Sequence, residues 1–405
     1  MRSSRCWRRV SGPTRGRVRR SSLAVLMDRD TLQECAPGDE VLNEVCRYLE
    51  NPYSETSPEE KPKFPLQDEP HVLAWESYAA QAMEQGAVAV LRDKFVQLRF
   101  PVEEGISQTE VYRLATKRGR FEAAERYADG VVFAEPGSVT VGVYSTIAGR
   151  VPVILAGQRA DFEALVRAFS SRNEPEPVPA SMGACIVTGF NNWDRVRSYR
   201  RNWERALGRE ASEEEWQQEF REAVIPNKRL YQDRFIILSS GYYSDCSAES
   251  LGADAEGWQA RSIAIRREHE FTHYFTHRVF SQMRNHLHDE VIADFVGLAR
   301  ATGAYDEVLA ARFFGLESYP EYRAGGRFEN YLGSPPVSPA ASKVLQCVVH
   351  RSIQNLGAFA RGRLEQLTDL NYLCELVFVL AHLGLDALAA TDAVSVIEAR
   401  LGEGG

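Results

Sequence analysis

The chain has 405 residues, 44% hydrophobic and 26% charged, with a formal net charge of -8, a composition ordinary for globular domains and long enough for two or three of them. No run of eighteen apolar residues occurs, so a membrane-spanning helix is not expected. Residues 1–26 hold eight arginines and no acid, and the rest of the chain is more acidic than the total shows. An acidic body repels phosphate backbones, which sets nucleic acid aside as the main partner.

The first 26 residues read as an Arg-rich disordered or non-native start, with a nucleic-acid arm or a transit peptide as alternatives. Seven cysteines (Cys6, Cys35, Cys46, Cys185, Cys246, Cys347, Cys374) are scattered, odd in number and without CxxC spacing. That usage fits reduced thiols in a cytoplasmic protein, not a disulfide framework.

Residues 27–70 read as a helix around Val41–Leu49 followed by a Pro-rich linker. Residues 71–172 read as an accessory α+β unit. It opens with a helical pattern (Leu73, Tyr78, Met83) and continues with strand-like runs at Val88–Leu91, Phe95–Leu98 and Val131–Phe133. A hairpin follows around Ala148-Gly149-Arg150, then a helix carrying Phe162, Leu165, Val166 and Phe169. Alternating prolines in Asn173–Pro179 forbid a helix and mark a boundary. Residues 180–405 form the second unit, with strands at Ala184–Thr188 and Arg234–Leu238, helices near 194–206 and 212–223, and a mainly helical chain from Trp258 onward.

Five of the eight histidines lie between 269 and 288. There, His269-Glu270-Phe271-Thr272-His273 spells HExxH. Four residues make one turn plus about 40°, so both imidazoles can reach one ion from the same helix face. Glu270 lies about 100° round, placed to take a proton from water near the metal. Phe271, Phe275 and Val279 fall opposite the histidines and would anchor the helix in the core. Downstream, Glu290, Asp294 and Gly297 share one helical stripe: a carboxylate to ligate, a second to hydrogen-bond a ligand imidazole, and a glycine to let the helices approach.

HExxH followed by ExxxDxxG resembles the thermolysin-type zinc hydrolases, the gluzincins. The resemblance covers about thirty residues, and the 16 residues separating His273 from Glu290 make a shorter connection than that family usually has. It implies one Zn²⁺ held by His269, His273 and Glu290, with Glu270 as general base and Asp294 orienting a ligand histidine. It also implies an α+β fold in which a zincin-like domain with a mixed sheet, the HExxH helix and a helical C-terminal half follows the accessory unit.

The expected function is zinc-dependent hydrolysis of a peptide or amide substrate. The alternative is a non-catalytic zinc protein serving as an interaction module, which would leave Glu270 without a purpose. Tyr243, Tyr331 and His350 are candidates for oxyanion or substrate contacts. His277 is an alternative ligand that more simply lines the cleft, and His286 and His288 read as surface residues of the connector. Phe235–Ser240 stands where such enzymes carry a substrate-pairing edge strand, with an ordinary core strand as the alternative.

Overall fold

The structure is a computed structural model that describes residues 32, 38–53, 61–125, 127, 130–281 and 286–402. The Arg-rich start and part of the Pro-rich linker lie outside the described residues. A helix, α1 (Asp39–Tyr48), forms where one was expected, and α2 (Val72–Gln85) carries the pattern read from Tyr78.

The chain is α+β, with one mixed sheet of four strands among the described residues. β-branched runs build the hairpin β1 (Val139–Thr146) and β2 (Gly149–Ala156), with Val141 opposite Ile154. Its two-residue turn needs a left-handed residue at Gly149 (φ 79°), which glycine adopts without steric cost. The Thr146 hydroxyl donates to the Gly149 carbonyl at 2.7 Å and accepts from Ala148 N–H at 2.9 Å.

Strands β3 (Ala184–Asn191) and β4 (Gln232–Ser239) complete the sheet in the order β1-β2-β4-β3. β4 runs parallel to β2, with Val153 opposite Ile236, and antiparallel to β3, with Cys185 opposite Ile237. β4 is therefore an interior strand, and the free edge on that side of the sheet belongs to β3. The substrate-pairing role considered for Phe235–Ser240 does not hold, since pairing on both sides consumes its backbone groups. The β2–β4 pairing also joins residues 71–172 and 180–405 through a single sheet.

Both faces of β4 are buried, which explains the unbroken Phe235-Ile236-Ile237-Leu238 run. Ile236 and Leu238 pack into the larger core with Phe271 and Phe275. Phe235 and Ile237 pack into a second core with Trp75, Phe95 and Phe162, the last from α5 (Arg159–Ser170). Three of the expected strands are absent. Residues 87–94 form helix α3 (Ala87–Lys94), and Phe95 leads into a 3₁₀ turn over Val96–Arg99. A four-residue apolar run is too short to reveal its period; here Val88 and Leu91, three apart, bury one helical face. Val131–Phe133 likewise forms no strand, and Val131 makes a single N–H bond to the Leu98 carbonyl at 3.0 Å.

The chain then becomes helical. Helix α4 (Glu110–Arg118) lies in the first half, α6 (Trp193–Leu207) and α7 (Glu213–Glu219) follow β3, and α8 (Ala248–Leu251) is a single turn. Helix α9 (Ala255–Phe280) carries HExxH and α10 (Leu287–Thr302) carries ExxxDxxG. Helices α11 (Glu307–Phe314), α12 (Pro339–Ala360), α13 (Leu370–His382), α14 (Leu385–Ala389) and α15 (Ala393–Gly402) form the C-terminal half. Among the described residues, no helix is long and apolar enough to cross a membrane. Helix α9 starts at an Asp254 cap, whose carboxylate accepts from Gly257 N–H at 2.6 Å. It ends at Ser281 in the left-handed region.

The close approach of α9 and α10 depends on Gly297. A Cβ there would lie 3.0 Å from the Ile265 carbonyl oxygen and 3.3 Å from the His269 Cβ. Those neighbours belong to the α9 ladder and to a site residue, so neither yields cheaply. Gly297→Val should lower the unfolding free energy by about 1–3 kcal/mol through overpacking, read as an earlier urea midpoint with unchanged m. A wild-type midpoint would show that the two helices are not held this close.

Candidate metal centre

The two helices bring His269, His273 and Glu290 together as one buried group that could hold a metal ion, their candidate ligand atoms lying within 4.8 Å of one another. The Nε2 atoms of His269 and His273 are 2.9 Å apart. Glu290 points inward, with Oε2 3.5 Å from His269 Nε2 and Oε1 3.5 Å from His273 Nε2. Ligand bonds of about 2.0–2.1 Å in a tetrahedron put donors about 3.3 Å apart, close to these separations.

The outer nitrogens fix the proton positions. His269 Nδ1 lies 2.8 Å from Asp294 Oδ1, and His273 Nδ1 lies 2.9 Å from Asp289 Oδ2. A carboxylate can only accept, so each Nδ1 carries the hydrogen and each Nε2 turns a lone pair inward. Two imidazole lone pairs and a carboxylate oxygen thus converge on one point. Electron-rich atoms repel at that separation unless a cation lies between them, so this donor set could hold a metal ion.

The charge balance agrees. Asp289, Glu290 and Asp294 are each 1% exposed or less, and unpaired buried carboxylates are costly. Arg327 bonds Asp294 Oδ2 and donates to the Tyr243 hydroxyl at 2.8 Å. Tyr243 in turn donates to Asp294 Oδ1 at 2.6 Å. Burial pushes the Asp294 carboxyl up, but Arg327 and His269 outweigh it and hold the group below its ordinary range. Asp289 is likewise pushed up by burial and drawn lower by His273, with Tyr53 donating to it. One guanidinium against three carboxylates leaves a deficit that a divalent cation removes.

Asp294 lies 2.8 Å from His269 Nδ1, and Glu290, Asp294 and Gly297 share the α10 face against α9. Phe271 and Phe275 are buried as anchors. Glu270 is half-buried and lines a cleft of about 600 Å³ together with His269. Tyr243 also lines that cleft, but its hydroxyl lies behind the ligand, 2.8 Å from His269 Nδ1, so it orients His269. Tyr331 borders the cleft as well.

Other candidates stand elsewhere. His350 stacks on Tyr319 at a ring distance of 4.4 Å and is not among the cleft residues. His277 is half-buried outside the cleft, and burial and Arg234 push it down to about 4. His288 is fully buried rather than at the surface, bonded to the Leu380 carbonyl at 2.9 Å and pushed down to about 4 by burial. His286 is half-buried, stacked 4.5 Å from the Tyr48 ring, and lies 2.8 Å from the Tyr48 carbonyl oxygen. The sequence places both histidines on the surface of a connector, whereas Tyr48 of α1 covers His286 and Leu380 of α13 covers His288.

Three contributors were not legible in the motif. Asp289 stands directly before Glu290, and its residue type was the available signal. Arg327 and Tyr53 arrive from 33 and 236 positions away from their carboxylate partners with no local pattern to mark them. The five described cysteines, Cys46, Cys185, Cys246, Cys347 and Cys374, form no disulfide among the described residues.

Residues 30–392 match the profile of a family of unknown function, DUF7005, and the chain belongs to that family. No curated protein and no solved structure matches it.

Outer carboxylates that orient metal-bound histidines contribute about 10–100-fold in affinity. Asp289→Asn should therefore weaken Zn²⁺ binding by about that factor, measured by competition with a chromophoric chelator. Tyr53→Phe should weaken it less. Wild-type affinity in Asp289→Asn would mean that His273 is oriented by something else.

Proposed function

We propose that this chain is a zinc-dependent hydrolase of the zincin type, acting on a peptide or amide bond. The observation that carries the proposal is the convergence of two inward imidazole lone pairs and the Glu290 carboxylate beside a cleft that Glu270 borders. His269, His273 and Glu290 would hold the ion. When bound, Zn²⁺ supplies Lewis acidity to a water molecule and to the scissile carbonyl.

The remaining chemistry falls to the chain's own groups. Glu270, one residue beyond a ligand and half-buried at the cleft, takes the proton of the attacking water and passes it to the leaving amine. Asp294 and Asp289 keep the two Nδ1 hydrogens in place, and Tyr243 and Arg327 keep Asp294 in place. Arg266 shapes the cleft wall: its guanidinium donates to the carbonyls of Ser239, Gly241 and Tyr242 at 2.7, 2.8 and 2.9 Å.

A purely structural metal site is closed by four protein ligands. Among the described residues this group has three, which favours a catalytic site over a non-catalytic module. Glu270→Gln should keep one zinc per chain by elemental analysis while losing at least about 100-fold in cleavage of a mixed peptide pool followed by mass spectrometry. His273→Ala should lose the zinc itself. A wild-type chain that holds zinc yet is no faster than Glu270→Gln on every peptide or amide offered would place the protein among non-catalytic zinc proteins.

A further inference from the structure

The cleft beside Glu270 is basic in a protein of formal charge -8. Five arginines line it against two acids, Asp245 and Glu270. Four of the five are already engaged. Arg266 and Arg327 are held as described above. Arg159 reaches Glu163 and the Pro179 and Met182 carbonyls. Arg323 bonds Glu317 at 2.6 Å and the Arg312 carbonyl at 2.7 Å.

Arg312 differs. It sits in the last turn of α11, is half-buried, and its guanidinium has no hydrogen bond or ion pair among the described residues. Arg312, Arg323 and Arg327 line the cleft together with Cys246, and all three, with the opposing Glu317, act electrostatically on that thiol. A half-buried guanidinium facing the cleft gains most from an acceptor that fits its fork. A carboxylate accepts two parallel N–H bonds from arginine, and those bonds strengthen as water is excluded.

We propose that the cleft takes a small substrate bearing a carboxylate, and that Arg312 anchors that carboxylate while the scissile bond is presented to Glu270. The substrate class is thereby narrowed to acidic or carboxyl-terminal acyl compounds, and the assignment of a reaction to them rests on the hydrolase reading above. A volume of about 600 Å³ suits a short peptide or a compound of similar size. One uncommitted guanidinium matches one singly charged carboxylate better than a phosphate dianion, which recruits several donors at once. The glycines of the wall, Gly325 and Gly326, lead only into the five-residue 3₁₀ turn Arg327–Tyr331, too short to give the N-terminal N–H groups that cradle a phosphate.

The test is calorimetric titration of the zinc-loaded chain with succinate, its neutral diamide succinamide and inorganic phosphate. Succinate should bind at least about tenfold more tightly than succinamide, and Arg312→Gln should remove about tenfold of the succinate affinity. Arg312→Lys should restore part of it, since charge returns without the fork. Zinc content and circular dichroism of Arg312→Gln should equal those of wild type. Equal binding of succinate and succinamide, or unchanged succinate affinity in a folded Arg312→Gln chain, overturns the proposal. Phosphate binding more tightly than succinate overturns the carboxylate assignment. The zinc content of the wild-type chain reports separately on the hydrolase reading, because a chain that purifies without zinc yet loses succinate with Arg312→Gln defeats that reading alone.

Discussion

Three carboxylates on one helix, Asp289, Glu290 and Asp294, lie in the interior with almost no exposure, and the rest of the structure is arranged around the cost of keeping them charged there. Charge is expensive in a low-dielectric interior unless each group is paired and hydrogen-bonded. Asp294 has Arg327, Tyr243 and His269; Asp289 has Tyr53 and His273. Glu290 faces the two inner nitrogens, and that arrangement is self-consistent when a cation shares the space. The histidines are thus held from both sides, by acids outside and by a common coordination point inside.

That constraint explains why distant segments converge. α10 can present its acids to α9 only because Gly297 removes the side chain that would keep the helices apart. Arg327 enters from a 3₁₀ turn after α11, and Tyr53 from the stretch after α1. Neither belongs to the helix pair, yet each completes a carboxylate that orients a histidine. The sheet contributes from beneath: Ile236 and Leu238 of β4 pack in the same core as Phe271 and Phe275, so the HExxH helix is held against a rigid floor. Rigid support of this kind is what a metal centre needs, since small displacements of a ligand change affinity strongly.

Family membership spans nearly the whole chain, residues 30–392. Within it, the β2–β4 pairing joins the two halves of the chain in one sheet. The cleft's basic character comes from arginines on α5, α9 and α11 and in the segment after α11, which line it together with Glu270. A basic cleft in an acidic protein concentrates anions locally, because low-dielectric walls focus the field.

The sequence by itself determined the parts whose cause is local. HExxH on one helix and a carboxylate stripe on the next were legible because helical geometry sets which side chains share a face. The hairpin at Gly149 and the helix at Phe162 were legible because turn chemistry and apolar period act over a few residues. Only the tertiary structure decided the rest. Val88–Leu91 became helix although it is rich in valine, since burial of one face outweighs weak propensity over four residues. β4 became an interior strand because β2, 83 residues earlier in register, pairs with it. Tyr53, Arg327 and Arg312 come from positions remote from the motif, and Asp289, though next to Glu290, acquires its role through His273 and Tyr53; no short-range pattern encodes which buried charge a distant side chain will meet.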